Sequence, residues 1–124
     1  MAFMNNYRKG WALRYIREAK AEFQAAKKMP SLAPSLIVEA LRKAQFAIYY
    51  SLGDPASIER IVKSISSNGH GVKDPILKCL VEIDEMMEFI SELPESERGR
   101  ALRHVNELIQ IASEIVELFT GEKA

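Results

Sequence analysis

Apolar residues recur along this chain at intervals of three and four. Ala12, Ile16, Ala19, Phe23 and Ala26 form the first series, and Ile37, Leu41, Ala44 and Ile48, continued by Ser51 or Leu52, form the second. Ile58, Ile61, Val62 and Ile65 make a shorter third, and Leu80, Ile83, Met87 and Ile90 a fourth. The fifth is the most regular: Leu102, Val105, Ile109, Ala112, Val116 and Phe119. Such spacings stack side chains on one face of an α-helix. No segment sustains the period-two alternation of a half-buried strand. The punctuation between series fits helix ends. Gly53-Asp54-Pro55 supplies a glycine suited to a left-handed helix terminus, an N-cap and a proline for the first helical position. Asp74-Pro75 repeats the cap-and-proline start. Pro30 and Pro34 bracket the first break, Pro94 precedes Glu95 and Glu97 at the last helix start, and Gly121 closes that helix. Helices are predicted over 6–28, 34–52, 55–67, 75–92 and 95–120. The fold class is therefore all-α: an up-down antiparallel four-helix bundle with one short additional helix, forming a single domain over 1–124.

Composition adds limits. A chain of 124 residues holds one core. No apolar run approaches the ~20 residues that span a bilayer, and the N-terminus lacks a signal-peptide pattern. The expected location is cytoplasmic, with no membrane partner. The single cysteine, Cys79, sits among Leu77, Leu80 and Val81 and is expected in the core. Net charge is zero, yet residues 1–63 hold 11 Lys/Arg and 5 Asp/Glu, a balance of +6, and the remainder a balance of −6. Two explanations stand: basic early helices lie beside acidic late ones within a bundle or dimer, or a basic surface meets an anionic ligand such as RNA.

Little in the chain suits a metal or cofactor. There are two histidines and one cysteine, and no glutamate stands three positions before His104. No metal site and no cofactor are expected, and the acidic run Glu82, Asp84, Glu85, Glu88, Glu92 reads as solvated surface. The SSNGHGVKD segment lacks the strand and Gly-Lys-Ser/Thr ending of a phosphate loop, so His70 reads as an exposed loop residue. Tyr7, Trp11 and Tyr15 stand four apart with Arg8 and Arg14 nearby, an arrangement that packs a core edge, covers a dimer seam or stacks bases. Arg8, Trp11, Arg14 and Arg103 are the candidates for nucleic-acid contact.

The stretch ESERGRALRHVNEL, residues 95–108, places three arginines and a histidine at the start of the fifth helix. Beside the main apolar stripe runs a second: Ala101, His104, Leu108, Ile111 and Ile115. The combined face is too broad for one groove, so Leu108, Ile111 and Ile115 are expected at a dimer interface with His104 at its edge. Arg100 is one turn before His104. Arg98, Arg100 and His104 are the candidate catalytic set: the imidazole would take a 2′-hydroxyl proton while a guanidinium holds the phosphate. The alternative is solvated arginines beside a packing histidine.

The pair WALRYIREAKAEFQAAKK and LIVEALRKAQFAIYYSLGD resembles the first helical hairpin of HEPN domains, and the likeness extends over residues 8–119. It is closest to small stand-alone archaeal homologues. The resemblance implies a helical bundle, usually a homodimer, in a family of RNases and toxin–antitoxin partners of minimal nucleotidyltransferases. Active members carry Arg, four to six residues, then His. Arg98 and His104 meet that spacing with five between; Arg100 and His104 have three. Gly99 stands where the family commonly has a polar residue, and Asn106 where some toxins have tyrosine. The expected function is a non-catalytic or weakly active HEPN-type module binding RNA or nucleotide, with a nucleotidyltransferase partner. The alternatives are a metal-independent RNase using the Arg/His motif at a dimer cleft, and a purely structural oligomerisation protein.

Overall fold

The computed structural model describes residues 5–68 and 73–124. Residues 69–72, His70 among them, lie outside the described residues. Among the described residues five α-helices follow one another: α1 (Asn6–Lys28), α2 (Ala33–Leu52), α3 (Pro55–Asn68), α4 (Pro75–Glu92) and α5 (Arg98–Thr120). Short 3₁₀ turns, Pro30–Leu32 and Glu95–Glu97, precede α2 and α5. There is no strand among the described residues, and no helix there is long and apolar enough to cross a membrane.

Several helix ends have a visible chemical cause. Asn5 caps α1 by accepting the Arg8 N–H at 2.8 Å. Asp54 accepts both the N–H and the hydroxyl of Ser57 at the start of α3. Asp74 accepts the N–H groups of Ile76 and Leu77 at 2.9 and 3.0 Å, with Pro75 opening α4. These bonds satisfy amide donors that a helix start leaves without partners. Gly121 ends α5 with φ 76°, the left-handed terminus that glycine favours. Gly53 differs from expectation. Its φ is 165°, extended backbone, because α2 stops by turning directly into the Asp54 cap without a left-handed residue.

Packing centres on α2, which contacts α1, α3, α4 and α5. Helix α5 in turn touches α1, α2 and α4. Both helices of the α1–α2 seam bury alanines, Ala12, Ala19 and Ala26 on α1 and Ala40, Ala44 and Ala47 on α2, in one core with Ile16, Phe23, Ile37, Leu41 and Ile48. Small residues at a seam let two helices approach closely while the larger ones interlock. Lys43 crosses the same seam to Glu18 at 2.8 Å and Glu22 at 2.6 Å. Cys79 lies in the core, as its neighbours imply, and burial pushes its thiol up to about 12, where it is inert at neutral pH. Helix α3 is the least embedded. Val62 is buried and Ile58 is packed against the core, but Ile61, read as part of the apolar stripe, is exposed.

The broad apolar face of α5 has an explanation inside the chain. Leu108 and Ile115 are buried in the common core together with Val105, Ile109, Ala112 and Val116, because three neighbouring helices share α5. The expectation that the second stripe faces outward is corrected accordingly. Of the three residues assigned to a dimer interface, Ile111 alone is exposed.

Candidate functional site

The 3₁₀ turn at Glu95–Glu97 sets the entry to α5 and places Arg98, Arg100 and Arg103 in its first two turns. No side chain caps this helix start. Arginines here oppose the positive end of the helix dipole, and Glu95 and Glu97 offset them. The three arginines point into different surroundings. Arg98 buries its Nε–H without an acceptor. Arg100 lines a hollow of about 460 Å³ with Phe89, Leu93, Ser96, Glu97 and Ala101. Arg103 lies on the α1 side of α5, beside Phe23, Lys27, Asn106 and Glu107.

His104 belongs to a groove of about 600 Å³ between α4 and α5. The α4 wall carries Glu82, Glu85, Glu88 and Glu92, with Met86 and Phe89 as its apolar part. Among the described residues no lysine or arginine lines it. The His104 side chain is 43% exposed, and its Nδ1 is 3.7 Å from Glu107 Oε2, three residues further along α5. Phe89, 51% exposed, borders both this groove and the Arg100 hollow. Arg100 and His104 are thus close along one helix, but Arg98 lines neither hollow, and carboxylates dominate the surroundings of the imidazole. Four glutamates along one wall, with the nearest of them three residues apart, make the groove negative.

The residues proposed for nucleic-acid contact do not form one surface. Arg8 donates its Nε–H to the Tyr50 carbonyl at 3.0 Å and an Nη2–H to the Ser51 carbonyl at 3.3 Å, so it closes the C-terminus of α2. Trp11 sits in an aromatic ladder: Tyr15 and Tyr50 are within ring-stacking distance at 5.4 and 6.2 Å, and Tyr7 meets it edge-on at 6.3 Å. Arg14 lies over Trp11 at 5.0 Å and pairs with Glu18 at 2.7 Å. Arg103 adjoins Phe23, twelve residues further along α1 than Trp11, a separation of about 18 Å at the helical rise.

Among the described residues no three His, Cys, Asp or Glu side chains are grouped to hold a metal ion. Six groove residues escaped the sequence reading as a site: Glu82, Glu85, Met86, Glu88, Phe89 and Glu92. Their signal was available. Met86 and Phe89 are large apolar residues off the Leu80–Ile83–Ile90 stripe, flanked by glutamates three and four apart. What the sequence did not show is that His104 faces them from α5.

Comparison of the chain with family models, with curated proteins and with solved structures finds no match in any of the three.

Proposed function

We propose that this chain is a non-catalytic helical module of the HEPN type, an up-down antiparallel four-helix bundle with α3 as the short addition, and that it works by associating with a protein partner. The observation that carries this reading is the groove in front of His104, lined among the described residues by four glutamates and no lysine or arginine. A histidine acting as base on RNA needs a phosphate beside it. Four carboxylates repel that phosphate, and one nearby guanidinium, Arg100, does not outweigh them. Arg98 meets the family's Arg-to-His spacing but lines neither hollow. A nucleotidyltransferase is the class of partner that the family resemblance suggests.

The test is cleavage of a mixed pool of short labelled RNAs without metal, by wild type and by the Arg98→Ala/Arg100→Ala/His104→Ala variant, with folding of both checked by circular dichroism. The expected result is no cleavage by either. Cleavage by wild type that the variant loses would overturn the reading and restore the RNase assignment.

A second reading keeps one observation in its favour. Arg14 over Trp11, at the exposed edge of the aromatic ladder, is a surface on which a base can stack. RNA or a nucleotide would then bind on α1 and not at the Arg/His motif. Loss of RNA binding in Trp11→Ala, with binding retained in the triple variant, would favour it.

A further inference from the structure

We infer that the α4–α5 groove docks a basic amphipathic segment of a partner protein, an inference that rests on the association reading above and names the chemistry of the partner. The groove combines two features that a solvated acidic face lacks together. It is an open, shallow depression of about 600 Å³, and it carries exposed apolar surface: Phe89 is 51% exposed, with Met86 beside it. Around that surface stand Glu82, Glu85, Glu88 and Glu92. Among the described residues none of these four makes a salt bridge within the chain.

The contrast with the basic half of the molecule identifies the occupant. The cations of α1 are mostly engaged at home. Arg8 holds the Tyr50 and Ser51 carbonyls, Lys9 pairs with Glu122 at 2.9 Å, and Arg14 pairs with Glu18. Arg17 and Lys20 donate to the carbonyls of Lys123 and Ala124. A second copy of this chain therefore has little free positive charge on α1 to set against the groove. The carboxylates also do not converge as a metal site does. They extend along α4, whose 18 residues span about 27 Å at the helical rise. The complementary shape is another extended element with lysines or arginines on its flanks and large apolar side chains between them, seated on Phe89 and Met86. This is the helix-in-groove mode with charge complementarity at the rim.

The probe is a fluorescein-labelled peptide of about 18 residues made of leucine and lysine, with leucines at the i, i+3, i+4, i+7 spacing of an amphipathic helix. Fluorescence anisotropy with the full chain is expected to show saturable binding that weakens as salt is raised. Glu85 and Glu88 are exposed and free of salt bridges, so Glu85→Gln/Glu88→Gln will fold as wild type. It is expected to lose about tenfold in affinity, and Phe89→Ser a comparable amount. A peptide of equal charge with its leucines scrambled is expected to bind more weakly than the patterned one. Absence of saturable binding at low salt overturns the inference, as does equal binding of the two peptides or unchanged affinity in both variants. Sedimentation of the free protein supplies the remaining arm. A dimer that dissociates in Glu85→Gln/Glu88→Gln would assign the groove to a second copy and overturn the inference too. None of these results depends on RNA cleavage, so failure here leaves the non-catalytic reading standing, and cleavage overturns that reading independently.

Discussion

Leu108 and His104 are one turn apart on α5 and have opposite fates. Leu108 is 1% exposed inside the core, whereas His104 opens onto the α4–α5 groove. Leu108→Glu would place a carboxylate among Val105, Ile109 and the facing helices with nothing to pair it. The expected loss is at least about 3 kcal/mol in chemical denaturation, combining lost apolar burial with an unpaired buried charge. His104→Ala removes a half-exposed ring whose nearest acid is 3.7 Å away and is expected to change stability by no more than about 0.5 kcal/mol. Equal stability of Leu108→Glu and wild type would move Leu108 out of the core. At this scale the sequence was readable for burial but not for direction. Cys79 lies inside as expected, and so do Val105, Ile109, Ala112 and Val116 of the main α5 stripe, whereas Phe119 at its end is exposed. The second stripe was assigned to an outer face because its breadth exceeds what one neighbour covers, and nothing local to α5 reveals that α1, α2 and α4 all pack against it.

Helix ends were the most legible feature, and the reason is local chemistry. A cap needs only one side chain and the amides two or three residues beyond it, so Asp54, Asp74 and Gly121 declare the boundaries without reference to the rest of the fold. Gly53 was misread because the same residue type serves several turn geometries, and the following Asp54 cap selects the extended one. Glycines at two positions give a matched test. Gly10 lies within α1, with open space where a Cβ would stand. Gly10→Ala is expected to stabilise the protein by about 0.5–1 kcal/mol, through helix propensity alone. Gly121 also has open space, but its φ is 76°. Gly121→Ala is expected to destabilise by about 1 kcal/mol, the penalty of a left-handed backbone on a residue with a Cβ. Thermal denaturation of the two variants should shift in opposite directions. Shifts of the same sign would mean that one of the two helix contexts is misassigned.

For the whole molecule, the uneven charge along the sequence takes physical form as an engaged basic half and an unpaired acidic groove. Lys43 ties α1 to α2 by holding Glu18 and Glu22 together. The Lys43 hydrogen bond, with Arg14 adding to it, keeps the Glu18 carboxyl below its usual value of 4.5. The Ser57 hydroxyl and amide do the same for Asp54, whose usual value is 3.8. Both groups bind protons less readily in the folded chain than in the unfolded one. Their contribution to stability is therefore complete above the usual carboxylate range and is lost as pH falls through the lowered folded values. Lys43 shifts the opposite way, upward from 10.5, chiefly through its bond to Glu18, so its contribution is undiminished in acid until its partners take up protons. Urea midpoints measured from pH 6 downward should accordingly hold until about pH 4.5 and then decline. Lys43→Met removes the cation that lowers Glu18 and should lose roughly 1–2 kcal/mol at pH 6. In acid the variant and wild type should converge, because a protonated Glu18 no longer distinguishes lysine from methionine. A gap between them that stays constant down to pH 2 would mean that Lys43 stabilises the α1–α2 seam through its aliphatic stem and not through the two glutamates.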